Sequence, residues 1–191
     1  MFGIFGGSFD PPHLGHLHII QNFISEYQTK VYIVPNSLSP FKQKKGGSSE
    51  NILDMLYLLK KEFSLNDAEI YDTEIKRGGI SYSYQTLQEF HSKFPEEEIF
   101  LLIGEDNLES LHKWKEVETI FSLAKVLVYL RPSSKRSKIP IEIEKFQDRI
   151  LIKNNPLNPG SSTLFRESGD DEMISALVKE YIYKNKLYGN D

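Results

Sequence analysis

Apolar and polar positions along the chain follow two rhythms: short apolar runs, and stretches with helical spacing. Residues 2–5 form an apolar run long enough for one buried strand, and the apolar positions of residues 17–24 recur as on one face of a helix. A second β-rich run, at residues 30–34, follows about one helix length later. Strand, helix and strand at this spacing predict a βαβ unit with parallel strands and a right-handed crossover.

The rest of the chain repeats this alternation. Residues 98–103 are almost continuously apolar and predict a central strand, and two more strands are predicted at residues 126–130 and 150–152. Helical spacing is found over residues 52–63, at Leu87, Phe90 and Phe94, and over residues 174–182 with Ser168 or Asp170 as cap, whereas residues 69–75 read as extended. We therefore predict one domain over residues 1–191, an α/β fold of the Rossmann-like, doubly wound kind. Its mostly parallel sheet has helices on both faces, with residues 160–191 packed on the same core.

Composition and charge narrow the class of protein. A net charge of −4 argues against a nucleic-acid-binding protein held mainly by phosphate contacts. With no cysteine, disulfides, cysteine-ligated zinc and a thiol nucleophile are excluded. No apolar run approaches the roughly 20 residues that span a bilayer, and the chain starts with a predicted strand rather than a signal peptide. We expect a cytoplasmic protein with no membrane partner, and the sequence leaves a homo-oligomer open.

The candidate chemistry begins where the first strand meets the first helix, in the run Gly-Gly-Ser-Phe-Asp-Pro-Pro-His-Leu-Gly-His at residues 6–16. Gly6 and Gly7 let the backbone approach a ligand closely, and a helix N-terminus offers N–H groups and a positive dipole end to phosphate. His13 and His16 are three residues apart, so their rings can converge on one ligand. If each feature is considered separately, the two glycines indicate only a turn, and each histidine indicates only a structural residue. The joint arrangement predicts a phosphate site.

A second candidate anion site lies near the C-terminus, at residues 159–166. Three hydroxyls, those of Ser161, Ser162 and Thr163, precede Arg166 at a loop-to-helix junction. Hydroxyl and N–H donors beside a guanidinium fork suit phosphate oxygens. Read alone, the same segment is an ordinary helix cap.

Other candidates follow predicted strands. Asp106 comes directly after the central strand, at the edge where ligands of open α/β sheets bind, and it also reads as the N-cap of the next helix. Ser81 and Ser83 read as N-caps and Tyr82 as a packing residue. By residue type alone, Trp114 is a core residue.

The run at residues 6–16 resembles the signature of the HxGH nucleotidyltransferases, and it is similar in particular to that of the bacterial nicotinate-nucleotide adenylyltransferases. Three further motifs of that family have counterparts here in the expected order. They are RxGxSYTxxTL at residues 77–87, IGADxxxxxxxW at residues 103–114 and ISSTxIR at residues 160–166. The Val-x-x-Tyr-Ile…Leu-Tyr ending at residues 178–188 also matches the family, so the resemblance covers the whole chain.

The resemblance implies transfer of the adenylyl group of ATP to the phosphate of nicotinate mononucleotide, giving deamido-NAD and pyrophosphate, with Mg²⁺ bound through the ATP phosphates. It implies no metal-ligating residue, and His13, His16 and Arg166 as catalytic. Because the nucleophile is already an anionic phosphate, catalysis needs positioning and charge stabilisation rather than a general base. The implied ATP-binding residues are Gly6, Gly7, Ser8, Phe9, His13, His16, Gly104, Asp106, Arg131, Ser161, Ser162, Thr163 and Arg166. Those for the mononucleotide are Lys42, Ser81, Tyr82, Ser83, Asp106 and Trp114.

Some positions depart from the family pattern. In the basic loop at residues 35–49, Lys42 matches a family lysine near the mononucleotide, but Phe41 stands where that family usually has histidine. Read without the resemblance, the loop is a solvated charge run. Asn51 or Ile52 stands where the family tends to place an arginine.

Two other functions stay open at this point. One is a sibling HxGH enzyme with another phosphate acceptor, such as nicotinamide mononucleotide, pantetheine phosphate or a cytidylyl acceptor. The segments at residues 77–87 and 104–114 favour a pyridine mononucleotide, without deciding between its acid and amide forms. The other is a non-catalytic nucleotide sensor, whose expected mark is loss of a histidine or of the arginine cradle, and neither is lost.

Overall fold

A computed structural model describes residues 1–40, 46–131, 138–154 and 160–189. Lys42 and Phe41 lie outside these ranges, as does part of the loop that follows the fifth strand. Among the described residues, no helix is long and apolar enough to cross a membrane.

Six parallel strands form one sheet in the order β3-β2-β1-β4-β5-β6. The strands are β1 (Phe2–Gly7), β2 (Val31–Pro35), β3 (Ala68–Ile70), β4 (Ile99–Gly104), β5 (Ala124–Leu130) and β6 (Ile150–Asn154). The order reverses between β1 and β4, and this switch point opens a crevice at the carboxyl ends of the strands. The predicted doubly wound α/β fold is confirmed, with β4 in a central position.

Helices cover both faces of the sheet. They are α1 (Leu14–Tyr27), α2 (Ser49–Glu62), α3 (Thr73–Arg77), α4 (Ser83–Lys93), α5 (Glu105–Leu108), α6 (Val117–Leu123), α7 (Ser162–Ser168) and α8 (Ala176–Lys184), with 3-10 helices at Leu111–Lys113, Ile141–Arg149 and Leu187–Gly189. Successive strand residues point to opposite faces, so Phe5 joins the core under α1, α2 and α8, while Ile4 joins the core under α4 and α6.

The prediction that residues 69–75 are extended is wrong for the second half of this segment. Strand β3 ends at Ile70 and α3 begins at Thr73. The short helix is favoured by side-chain contacts that a strand would not make. Lys76 forms an ion pair with Asp72 one turn earlier, and the hydroxyl of Thr73 donates to Glu89.

Several predicted helix caps are also wrong. The N-cap of α4 is Tyr82, without a side-chain bond, because Ser81 instead accepts a hydrogen bond from the backbone N–H of Ser37. Ser83 is the first residue of α4, and Asp106 lies inside α5, whose N-cap is Gly104.

The last helix begins later than predicted. Its N-cap is Ser175, whereas Ser168 ends α7 and Asp170 follows that end. Gly169, with φ of 70°, closes α7 in the left-handed region that glycine adopts without strain. Gly169 thereby separates α7 from the segment that leads to α8.

Candidate active site

A cavity of about 430 Å³ lies at the carboxyl edge of the sheet, where the strand order reverses. Its walls come from the loops after β1, β2, β4 and β5 and from the start of α7. Most residues that the sequence pointed to line it, namely Gly6, Gly7, Ser8, His13, His16, Ser81, Tyr82, Ser83, Gly104, Asp106, Trp114, Arg131, Ser161, Ser162 and Thr163. Segments far apart in the sequence therefore meet at one cavity.

His13 and His16 cap α1 for each other. Nδ1 of His13 accepts the backbone N–H of His16 at 3.3 Å, and Nδ1 of His16 accepts the N–H of His13 at 3.2 Å. The rings are stacked, with their centroids 3.6 Å apart. His13 is thus the N-cap of α1, and His16 is the third residue of its first turn.

This capping fixes the tautomer of both rings. A nitrogen that accepts an N–H bond carries no proton, so each neutral imidazole holds its proton on Nε2 and is a donor there. Both histidines line the cavity, so their Nε2–H groups are candidate donors to phosphate oxygens there.

The backbone at this helix start is less open than the sequence suggested. The N–H of Leu14 donates to the carbonyl of Met173 at 2.8 Å, and the N–H of His16 is taken by the His13 ring. Some of the backbone N–H groups expected to bind phosphate at this helix N-terminus are therefore already used, and the imidazole N–H groups take their place as donors to a ligand.

The second anion segment packs directly on the first. Ser161 caps α7 by accepting the N–H of Leu164 at 3.3 Å, and Ser162 Oγ donates to the carbonyl of Pro11 at 2.9 Å. A Cβ at Gly160 would lie 2.6 Å from Nδ1 of His13. Only glycine fits there, because any side chain would displace the imidazole.

Phe9 and Arg166 are not among the residues that line the cavity. Phe9 is 1% exposed, and its ring packs edge-on against His16 at 4.9 Å between centroids. The guanidinium of Arg166 donates to the carbonyl of Asp10 and, at 3.3 Å, to the hydroxyl of Thr163. Phe9 therefore supports the His16 ring, while Arg166 is held beside the cavity, one hydrogen bond from its rim.

The Asp10 side chain organises the surroundings of that arginine. Its carboxylate accepts the N–H groups of Gly46 and Gly47 at 2.7 and 2.9 Å and the hydroxyl of Tyr188 at 2.7 Å. Burial and the neighbouring Asp10 carboxylate raise the pKa of Tyr188 well above its ordinary value, so the phenol stays a donor. The C-terminal 3-10 helix is thereby tied to the first loop.

At the β4 and β5 edge, two acidic residues hold one arginine. Glu105 is buried and accepts the backbone N–H of Arg131 at 2.9 Å, while the exposed Asp106 forms an ion pair with the Arg131 guanidinium. The wall formed by β4 and β5 therefore presents a cation and an acid whose charges are already paired.

Another part of the cavity wall is aromatic and cationic. Tyr82 and Trp114 line it, and the ammonium of Lys115 lies 4.7 Å from the centre of the Tyr82 ring. The indole N–H of Trp114 is buried and has no hydrogen-bond partner in the described structure. A flat aromatic ligand with polar substituents suits these groups.

Among the described residues, no group of three or more histidine, aspartate or glutamate side chains is arranged to hold a metal ion. The polar groups of this cavity are N–H and hydroxyl donors, guanidinium and ammonium groups, and carboxylates that already accept hydrogen bonds. They suit a polyanion better than a bare cation.

The parallel sheet has the strand order of a nucleotide-binding α/β protein. At its switch point lie a Gly-rich turn, two stacked histidines and a helix start rich in hydroxyl groups, which together define that class. Residues 4–168 match the family model described as cytidylyltransferase-like. The chain belongs to this cytidylyltransferase-like family, within the branch whose relatives are named nicotinate-nucleotide adenylyltransferase.

Two relatives illustrate the match. The probable nicotinate-nucleotide adenylyltransferase of Leptospira interrogans is 42% identical over 97% of this chain and 96% of its own length. The probable nicotinate-nucleotide adenylyltransferase of Clostridium tetani is 34% identical over 97% of this chain and 96% of its own length. A solved structure also matches, that of Plasmodium falciparum nicotinic acid mononucleotide adenylyltransferase complexed with NaAD. It superposes with a TM-score of 0.83 over 100% of this chain and 98% of that one. At 18% sequence identity, this match shows that the two chains share a fold.

Sequence reasoning missed several residues at the cavity. Glu74 and Glu105 line it as buried carboxylates, and Lys115 lines it as a cation. A buried glutamate is rare unless it is hydrogen-bonded, but burial at these positions depends on tertiary packing. Asp10 stands inside the first motif, yet its partners lie far along the chain.

Proposed function

We propose that this protein transfers the adenylyl group of ATP to the phosphate of nicotinate mononucleotide, giving deamido-NAD and pyrophosphate. The observation that carries the proposal is the stacked histidine pair, whose tautomers make both rings N–H donors at the wall of the cavity. Full-length relatives that bear this activity in their names support the choice of acceptor.

In the proposed reaction, a phosphate oxygen of the mononucleotide attacks the α-phosphorus of ATP, and the bond to the β-phosphate oxygen breaks to release pyrophosphate. His13 and His16 donate Nε2–H to oxygens on which negative charge develops. The hydroxyls of Ser161, Ser162 and Thr163 hold the outer phosphates. No proton has to be removed from the attacking oxygen, so none of these groups acts as a base.

Arg166 acts on the leaving pyrophosphate in this proposal. Its guanidinium lies on the carbonyl of Asp10, next to Thr163 at the rim of the cavity. A rotation of the side chain exchanges a neutral carbonyl for phosphate oxygens, a stronger acceptor for a cation. Gly6, Gly7 and Ser8 lie along the same phosphate path, and Phe9 contributes by packing under His16.

The remaining residues divide between adenosine and pyridine. Gly104, Asp106 and Arg131 face the adenosine part of ATP, and Asp106 also orients the acceptor. At the aromatic part of the wall, Trp114 stacks on the pyridine while Ser81, Tyr82 and Ser83 frame its substituent. Lys42 remains a proposed contact of the mononucleotide.

We propose that Mg²⁺ enters with ATP, held by phosphate oxygens, since Mg²⁺ in such sites keeps few protein ligands. When bound, it neutralises charge on the triphosphate. Of the carboxylates that line the described part of the cavity, Asp106 is exposed, and its charge is paired with Arg131.

Pyrophosphate release tests this proposal. The protein with ATP and Mg²⁺ should release pyrophosphate strongly with nicotinate mononucleotide and weakly with nicotinamide mononucleotide. His16→Ala should lower the rate by at least about a hundredfold, the scale expected for a lost charge-stabilising donor.

The control is His91→Ala, which removes an exposed imidazole from α4 and should leave the rate unchanged. Folded protein that releases pyrophosphate with neither mononucleotide would refute the proposal. Release with phosphopantetheine instead would establish a sibling transferase.

A further inference from the structure

The turn beside the proposed acceptor site contains two consecutive glycines. It joins α3 to α4 through Gly78 and Gly79, which have φ of 69° and 67°. No described atom comes within 4 Å of a Cβ built on either glycine. Because two consecutive glycines are the least restricted residues of a chain, contacts made by the flanking residues must hold this turn in place.

On the cavity side, one buried pair connects the two helices. The hydroxyl of Thr86 in α4 donates to Oε1 of Glu74 in α3 at 2.5 Å. Glu74 is 6% exposed and Thr86 is 2% exposed, so water screens this bond little. Glu74 also lines the cavity beside Ser81, Tyr82 and Ser83, which places a carboxylate next to a site for an anionic acceptor.

On the outer side, a second carboxylate makes a parallel connection. Glu89 of α4 accepts the hydroxyls of Tyr71 and Thr73 at 2.7 and 2.8 Å and an N–H of Arg77 at 2.9 Å. Glu89 is not among the residues that line the cavity. Ser81 also ties the turn to the loop after β2, through Ser37 and the carbonyl of Leu38. Between α3 and α4, carboxylates thus make one connection at the cavity and one near solvent.

We infer that Glu74 is a positioning residue for the acceptor mononucleotide, acting through Thr86 on the turn that carries Ser81, Tyr82 and Ser83. This inference rests on the proposed adenylyl transfer. The Thr86 hydroxyl has two effects: it sets the distance between α3 and α4, and it engages an oxygen of Glu74 that would otherwise repel an anionic acceptor. Losing it should weaken the acceptor site while the ATP site at His13 keeps its geometry.

The experiment compares Thr86→Val, which keeps the shape but removes the donor, with Thr86→Ser, which keeps the donor. We expect Thr86→Val to raise the KM for nicotinate mononucleotide about tenfold, with the KM for ATP and kcat within about twofold of wild type, since a hydrogen bond to a charged group is of that size. Thr86→Ser should restore the KM even if it lowers the melting temperature.

The matched control is Tyr71→Phe, which removes one donor from Glu89 on the outer side. It should lower the melting temperature without changing either KM. A Thr86→Val protein that is destabilised but keeps its KM for the mononucleotide would reduce Glu74 to a structural residue and overturn the inference. A wild-type protein that releases no pyrophosphate would refute the proposed function instead, so the two failures are distinguishable.

Discussion

Two helices of this chain begin with the same pair of reciprocal hydrogen bonds, made by different side chains. At α2, Ser48 Oγ accepts the N–H of Asn51 at 3.1 Å, and Asn51 Oδ1 accepts the N–H of Ser48 at 3.0 Å. At α1, His13 and His16 make the corresponding bonds at 3.3 and 3.2 Å. The hydroxyl and amide are preferred capping groups, whereas imidazole is not.

The difference shows what the histidines add. We call each pair of reciprocal bonds a capping box. The capping box of α2 supports a helix at the surface, where Asn51 also donates to the hydroxyl of Tyr181. The box of α1 opens on the cavity and uses rings that cap with Nδ1 and keep a donor at Nε2. Imidazole is not a preferred capping group, which agrees with the phosphate-binding role proposed for these two rings.

Exchanging the boxes should have the largest effect. His13→Ser combined with His16→Asn copies the residues of α2 onto α1, so the cap is kept and the imidazole donors are lost. We expect pyrophosphate release to fall by at least about a thousandfold, because donors to a developing charge act together. The melting temperature should change by only a few degrees. Retained release by the exchanged protein would mean that the rings serve α1 only.

Gly160→Ala should produce the next largest effect. The new Cβ would lie 2.6 Å from Nδ1 of His13, so either the ring or the start of α7 must move. We expect kcat/KM to fall about tenfold or more, the scale of a small misplacement of a reacting group. Adding His13→Ser should recover melting temperature but no activity. An unchanged kcat/KM in Gly160→Ala would show that the ring position is not critical.

Ser48→Ala tests the purely structural box. It removes the cap of α2 and should lower the free energy of unfolding by about 1 kcal/mol, as measured by urea denaturation. Pyrophosphate kinetics should not change. A loss of activity comparable to that of the α1 variants would remove the distinction between the two boxes.

Tyr188→Phe removes one donor to Asp10, so it should lower stability modestly at neutral pH, and its distinguishing effect should appear at high pH. Burial and Asp10 raise the pKa of Tyr188, so between about pH 10 and that raised pKa the folded chain binds a proton that the unfolded chain has lost. Stability should therefore fall as pH rises above about 10, and less steeply in the variant. Equal slopes of melting temperature against pH in both proteins would contradict the assigned contact.

The sheet and the outline of the cavity could be predicted from the sequence because both follow from local pattern. Buried parallel strands are nearly continuous apolar runs, and residues after β1, β4 and β5 meet because the carboxyl ends of parallel strands share one edge. The same rule predicts Asp106 at this edge, and the family resemblance predicts Trp114 there.

The features that could not be predicted from the sequence depend on contacts between segments that are distant along the chain. Ser81 looks like a cap in sequence but accepts the N–H of Ser37, and residues 73–75 form a helix held by Glu89. The need for glycine at position 160 cannot be read from its neighbours, because the atom that a side chain would strike belongs to His13. Burial of Glu74 likewise results from the packing of α3 on α4.

If capping fixes the tautomer of both histidines, each ring keeps one N–H, at Nε2, that it can donate to phosphate. Imidazole nitrogen NMR on isotopically labelled protein tests the tautomers directly, with resonances assigned through single His→Gln variants. We predict that His13 and His16 are protonated at Nε2 and bare at Nδ1, and that ATP with Mg²⁺ shifts both Nε2 signals but not those of His91. Protonation at Nδ1 of either ring, or Nε2 signals that ignore ATP, would contradict the account.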